Sequence, residues 1–437
     1  MGMRLISGGV TLKGLIIGVI ALLLMIPLAM LRSVVSERSS LREQAYARVA
    51  EGWGGDVVLG GPMLIVPTER MVEEDHTRRL VRRDVYVLPA ALGMNANLGV
   101  EPEPRRVGIY SVPVYLSRVQ LTGRFDLAAL RSQASRSDAV YLWGESRLLL
   151  PLSRVRSLRE ASIINFAGQN LKLGPARAGG VYRGVEAPLD LSRLTSSDAA
   201  PFDFDVLIAG SREFGMLPLG SITTIQLKSN WPHPSFQGAF LPAQRAISSS
   251  GFDARWQVLE LNRPYAQMWT EGEVSESMLS ESQFGVGLHQ TVDVYQRGER
   301  AVKYALLFIA LTFLALFAWE QVAQVRLHPL QYLLVGVALS LFYLLLIALS
   351  EHIAFASAYA LAATGLVALI GAYIAGALGS GLRGFIAGST LSAVYALLYM
   401  LVLSEDYALL LGAIVLFGVL TAVMLLTRKV DWYAQSH

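Results

Sequence analysis

The apolar positions of this chain change their spacing twice, and the changes predict its elements. Near the start, residues 12–31 form one long apolar run, with Arg4 before it, Lys13 at its beginning and Arg32 after it. In the last third, five more long apolar runs follow at 301–319, 332–349, 355–374, 385–403 and 408–426, parted by short polar breaks. A hydrocarbon core of about 30 Å takes ~20 apolar helical residues, so each run is read as a transmembrane helix. The first run is long for a signal peptide, and its exit, Pro27-Leu28-Ala29-Met30-Leu31-Arg32, offers no small-x-small cleavage pair. It is therefore expected to stay as an anchor.

Between these regions the period shortens. At first Val34, Val35, Arg38, Leu41, Ala45, Tyr46 and Val49 keep a helical spacing, which extends the anchor helix to Gly52-Trp53-Gly54-Gly55. Beyond it come short β-branched and aromatic runs bounded by Gly and Pro, the signature of strands and turns. They fall at 57–59, 63–67, 85–88, 109–116, 121–126, 139–143, 146–152, 202–208, 222–228, 257–261 and 284–295. The last of these alternates weakly and is expected to be buried on both faces. The charged stretch 69–83 reads as a solvated hairpin or loop, and 127–135 as a short helix.

The fold class is thus an α-helical polytopic membrane protein, six helices in a one-plus-five arrangement, with a large inserted β-rich, antiparallel, sandwich-like domain. Residues 1–31 hold the N-terminus and first anchor, 32–55 a juxtamembrane helix and 56–300 the β-rich domain. Residues 301–427 hold the five-helix bundle and 428–437 a tail. The β-rich part is expected as one sandwich or as two lobes with a soft boundary near 190–200.

Composition agrees. Only 16% of the 437 residues are charged, against roughly 25% in a soluble globular chain, and most of those lie in 32–300. The net charge of +3 is no argument for nucleic-acid binding. With no cysteine, disulfides, thiolate nucleophiles and thiolate metal sites are excluded. Short loops also orient the bundle, since Lys and Arg beside spans are retained inside. Arg326, Arg383, Arg428 and Lys429 then lie inside, while Glu351, Glu405 and Asp406 lie outside. Both termini are expected inside and residues 32–300 outside.

Candidate chemistry is sparse. His328 and Glu320 form one possible proton-relay pair, although Pro329 suits the start of a helix and Glu320 suits a membrane-surface position. Glu351 beside His352 could bind metal or move protons, with Glu405 and Asp406 as partners on the same side; a plain polar turn between two spans is the favoured reading. The glycines Gly376, Gly379, Gly381, Gly384 and Gly388 lack the Lys and Ser/Thr of a phosphate loop and read as close helix contact. Trp231–Phe236 alternates aromatics with Pro around His233, either as a recognition loop or as a rigid corner filling the β core. No Gly-x-Ser-x-Gly, Ser-x-x-Lys, His-Glu-x-x-His or Gly-x-Gly-x-x-Gly string occurs. His76, His233 and His289 stand far apart. No catalytic residue, cofactor or metal is expected. The spans carry no acidic or basic residue in their interiors, which argues against an ion-coupled transporter.

Several strings together resemble one known family. They are Val292-Asp293-Val294-Tyr295 leading into 304–320, then Leu327-His328-Pro329-Leu330-Gln331-Tyr332-Leu333-Leu334-Val335-Gly336, then Leu349-Ser350-Glu351-His352-Ile353. Gly108-Ile109-Tyr110-Ser111-Val112-Pro113-Val114-Tyr115 and Trp231-Pro232-His233-Pro234-Ser235-Phe236, followed by Gly238 and Phe240-Leu241-Pro242, fit as well. In order and spacing the chain resembles the CreD family of bacterial inner-membrane proteins. The resemblance implies a large periplasmic domain and a link to envelope integrity and to a carbon-source and β-lactam-response system; it supplies no catalytic residues. The expected role is non-enzymatic support of the cell envelope through a periplasmic sensing or partner-binding domain. Membrane lipids and envelope or inner-membrane proteins are the expected partners. A transporter or accessory for a lipid or small molecule is the alternative, and a membrane-embedded enzyme the third.

Overall fold

A computed structural model describes residues 9–74, 77–160, 163–177, 179–194, 198–288, 294–323, 327–404 and 407–427. The first apolar run is helical in two pieces, α1 (Gly9–Leu23) and α2 (Met25–Trp53). Pro27 explains the interruption: it has no N–H for the Leu23 carbonyl, and its ring crowds that carbonyl. Bonds from Leu24 N–H to Ile20 O (3.0 Å) and from Leu28 N–H to Leu24 O (3.3 Å) carry the helix past the break. α2 ends at Gly54 and Gly55, whose φ values of 142° and 65° suit glycine. The chain divides into two units, Glu43–Thr291 and Met1–Arg42 with Val292–His437, so the boundary falls inside α2.

Glu43–Thr291 is the β-rich unit. Its largest sheet has eight strands in the order Gln169–Lys172, Ile163–Phe166, Ala199–Ser211, Val114–Asp126, Ala91–Val100, Ile222–Ser229, Gly251–Leu259 and Gln244–Ser248. A second sheet runs Gly174–Pro175, Gly184–Pro188, Arg147–Pro151, Met63–Glu74, Thr77–Val87 and Met268–Thr270, with Val140–Tyr141 beside Met63–Glu74. A third holds Val57–Gly60, Glu213–Leu217, Phe284–Leu288 and Pro234–Gly238. All three contribute to one hydrophobic core around Tyr115, Phe166, Phe214, Trp256 and Phe284.

Several expectations meet their outcome here. The charged stretch is the outer part of the Met63–Glu74/Thr77–Val87 hairpin, and the short helix is α3 (Leu127–Arg136), capped by the Asp126 carboxylate on Ala129 N–H. A further helical turn, α4 (Glu276–Glu281), follows later. The sheets are mainly antiparallel but include two parallel pairings, Val57–Gly60 with Glu213–Leu217 and Ala91–Val100 with Ile222–Ser229. The strand Ala91–Val100 was not expected. It buries Leu92, Met94, Ala96, Leu98 and Val100 on one face, yet its outward Gly93, Asn95, Asn97 and Gly99 read as a loop. The run 109–116 is two strands, Tyr110–Val112 and Val114–Asp126, parted at Pro113, which has no N–H for a ladder. The final strand Phe284–Leu288 is buried on both faces as expected; of the rest of that run, 289–293 lie outside the described residues and 294–295 are helical.

The second unit is helical: α5 (Val294–Ala323), α6 (Pro329–Ser350), α7 (Phe355–Leu378), α8 (Gly381–Leu403) and α9 (Ala408–Thr427). Among the described residues five helices are long and apolar enough to cross a membrane, beginning at Leu12, Tyr295, Pro329, Phe355 and Gly381. The sixth expected span coincides with α9, an apolar helix of 20 residues. α5 starts before residue 301, so its first turns are polar. Bulky apolar side chains such as Leu15, Leu22, Met30, Leu361 and Phe385 face outward, as lipid-facing residues should. α7 and α8 meet at glycine: a Cβ on Gly384 would lie 2.5 Å from Ala375 Cβ and 2.6 Å from the Gly371 carbonyl. This is the small-residue contact expected from Gly384 and Gly388.

Candidate functional site

Two ion pairs of the helical unit each join the N-terminal helices to the bundle. In the first, Glu320 on α5 is 4% exposed and ion-pairs with Lys13 on α1. Tyr332 on α6 donates its hydroxyl to Glu320 Oε2 (2.8 Å), and Leu327 N–H donates to Glu320 Oε1 (3.2 Å). The Lys13 ammonium also lies 5.7 Å from the Tyr332 ring centroid, a cation–π distance. One carboxylate therefore accepts from α1, α6 and the turn before α6.

In the second, Glu351 at the end of α6 accepts from the Tyr295 hydroxyl on α5 (3.2 Å) and pairs with Arg38 Nε on α2 (3.5 Å). Arg42 lies over the Tyr295 ring at 5.8 Å. Lys13 with Glu320, and Arg38 with Glu351 and Tyr295, make the first helix antiparallel to α5. At ~1.5 Å per residue, Lys13 to Arg38 and Tyr295 to Glu320 each cover about 37 Å, somewhat more than a hydrocarbon core of ~30 Å. That spacing lets both clasps sit at the edges of the apolar layer. Between them, a Cβ on Gly336 of α6 would come within 2.3 Å of Leu24 and 2.8 Å of Phe313, so α1, α5 and α6 touch closely at mid-length.

The sequence candidates divide accordingly. Glu351 belongs to a clasp, whereas His352 is exposed and takes no part in it. Glu405 and Asp406, their expected partners, lie outside the described residues, as do His76 and His289. His328 does not join Glu320. It caps α6, its Nδ1 accepting from Leu330 N–H (3.2 Å) and its own N–H donating to Gln331 Oε1 (2.8 Å). Glu320 is buried against its neighbours and lies one residue past the apolar run 301–319. No single residue type signals this; the pairing needs Lys13 and Glu320 to be brought together from opposite ends of the chain.

In the β-rich unit, Trp231 donates Nε1–H to the His233 carbonyl (3.0 Å) and packs against the core, while the His233 ring is exposed. Phe236 meets Phe252 and Trp256 edge-on at 5.7 Å each. Trp231 and Phe236 are half-buried, Pro234–Gly238 is a strand of the third sheet, and His233 is exposed just before it. No group of three or more His, Asp or Glu that could hold a metal occurs among the described residues.

A helical bundle of membrane-spanning length with a large β-rich unit inserted after its first helix defines a polytopic membrane protein. The comparisons agree. A family model described as "Inner membrane protein CreD" matches residues 9–433. The chain is 33% identical to the Inner membrane protein CreD of Escherichia coli (strain K12) over 430 residues, 95% of this chain and 92% of that protein. The chain belongs to the CreD family and is a multi-pass inner-membrane protein.

Proposed function

We propose that this protein is a non-enzymatic component that supports cell-envelope integrity or an envelope-stress response, with its β-rich unit as the sensing or partner-binding part. The observation that carries the reading is the division of labour between the units. The ionisable groups Lys13, Glu320, Arg38 and Glu351 of the helical unit are consumed in holding its own helices together. The β-rich unit is a compact body with its own core. By the distribution of basic residues in the short loops, residues 32–300 face the periplasm and both termini the cytoplasm. In-cell photocross-linking from exposed positions of the β-rich unit, such as His233, tests this: capture of envelope or inner-membrane proteins is expected. Cross-links to lipid alone, or none, would refute it. Reporter fusions after Gly144 and His437 should report periplasm and cytoplasm respectively, and the reverse pattern would overturn the orientation.

One observation favours a second reading, a transporter or accessory for a lipid or other apolar molecule. A groove of about 440 Å³ between α7 and α8 is lined by Tyr359, Tyr395 and Tyr399 with small residues such as Ala363 and Ala396. Reproducible flux of a lipid by the reconstituted protein would establish this reading in place of the first.

A further inference from the structure

The six-strand path of the second sheet carries an unusual concentration of charge on one face. Alternation puts Arg82 and Asp84 of Thr77–Val87 on the same side. Register places Tyr86 opposite Ile65, Ile65 opposite Arg147, and Leu149 opposite Glu186. Arg82, Asp84, Arg147 and Glu186 line a pocket of about 290 Å³, covered by Ala176, Arg177, Gly179 and Gly180 and floored by Ile65, Leu149 and Tyr182. At its base is Arg147, whose side chain is 9% exposed. It forms a two-pronged pair with Asp84 and lies 3.4 Å from Glu186 Oε2 through Nε, which makes no hydrogen bond.

Both signs reach the walls, and the exposed Glu271 and Arg177 stand on different sides. On one side Glu271 Oε2 accepts from Asp84 N–H (3.3 Å), and Glu271 N–H donates to the Asp84 carbonyl (2.8 Å), which holds Glu271 against the Asp84 backbone. On the other, Arg177 reaches Glu186 Oε1 at 3.6 Å while remaining 65% exposed, so its guanidinium is free to turn inward. The lining carries Arg82, Arg83, Arg147 and Arg177 against Asp84, Glu186 and Glu271. A pocket that presents both signs, with its carboxylates already beside guanidinium groups, offers less to a lone anion or cation. It suits a molecule that carries both charges. A volume of about 290 Å³ stands at the small end of ligand sites.

We propose that this pocket binds a small zwitterion of amino-acid to dipeptide size, with its carboxylate beside Arg177 and Arg147 and its ammonium beside Glu271 and Asp84. The inference rests on the reading of the β-rich unit as the recognising part and names the ligand class for it. The test is isothermal titration of the full-length protein in detergent micelles with L-alanyl-L-alanine. Saturable binding is expected, weakened about tenfold or more by Arg177→Ala and by Glu271→Gln. Both side chains are exposed, so neither change should disturb folding. The N-acetylated dipeptide and the dipeptide amide, each lacking one charge, should bind about tenfold more weakly than the parent. Absence of saturable binding, equal binding of the singly charged analogues, or unchanged affinity in both variants would overturn the proposal. Failure here with an envelope partner captured by cross-linking would refute this pocket alone. Dipeptide binding without any captured partner would refute the partner reading and leave the pocket standing.

Discussion

Removing the charge of Glu320 should loosen the first helix from the bundle. Glu320→Gln keeps one oxygen that can accept from Leu327 N–H and gains an NH2 that can donate to the Tyr332 hydroxyl, so it deletes the negative charge opposite Lys13 while sparing most of the geometry. Breaking a buried ion pair from one side costs about 3–5 kcal/mol when the remaining charge is sealed in. Lys13 is 17% exposed, and a lysine can extend its stem to bring the ammonium towards water. The expected cost is therefore about 2–3 kcal/mol. Glu320→Ala also orphans Leu327 N–H and the Tyr332 hydroxyl, adding about 1–3 kcal/mol. In the double variant Lys13→Met/Glu320→Gln no charge is stranded, so its loss should fall short of the sum of the single losses by about 1–2 kcal/mol. Reversible unfolding of the detergent-solubilised protein in denaturant measures all four. If Glu320→Gln changes stability by less than about 0.5 kcal/mol, or if the single effects simply add, the clasp is not a coupled interaction.

Other consequences follow from single sites. Glu351→Ala removes both the Arg38 pair and the Tyr295 hydrogen bond and should cost about 1.5–3 kcal/mol. His352→Ala, at an exposed position, should stay within about 0.5 kcal/mol in the same assay, and equal effects would contradict the assignment. Gly384→Val would force side-chain atoms into the Gly371 carbonyl and Ala375, at a cost of about 1–3 kcal/mol; an unchanged midpoint would mean that α7 and α8 do not meet there. Burial raises the Tyr182 phenol from the ordinary 10.0 to about 12, with Glu276 adding to the shift. The folded state thus holds this proton more tightly than the unfolded state. Its contribution is complete below pH 10 and is lost as pH rises through about 12. Tyr182→Phe should move alkaline unfolding, followed by tryptophan fluorescence, to higher pH, and an unmoved curve would refute the assignment.

Much of this molecule could be read along the chain because the signals are local. A run such as 332–349 must be a buried or lipid-facing helix whatever surrounds it, since its backbone bonds close within the segment. Gly54 and Gly55 end the first helix for reasons confined to their own φ angles, whereas the breaks beside Pro27 and Pro113 went unread because each lies inside a continuous apolar run. The cap role of His328 was half legible, because Pro329 signals a helix start while the ring's bond to Leu330 N–H must be seen. Where the signal was weak, as in Ala91–Val100, outward Gly and Asn masked a buried stripe that only its neighbours Val114–Asp126 and Ile222–Ser229 make into a strand.

What the sequence by itself determined is therefore the set of helices, most strands and the family, all of which depend on residues close together or on strings kept in order. What only the tertiary structure decided is which distant charges meet. Lys13 with Glu320, Arg38 with Glu351, and Arg147 with Asp84 and Glu186 are separated by long stretches of chain. Each taken singly looks like an ordinary surface residue. Ion pairing falls off steeply with distance and depends on burial, so neither its existence nor its strength can be assigned before the helices and sheets have brought the partners together.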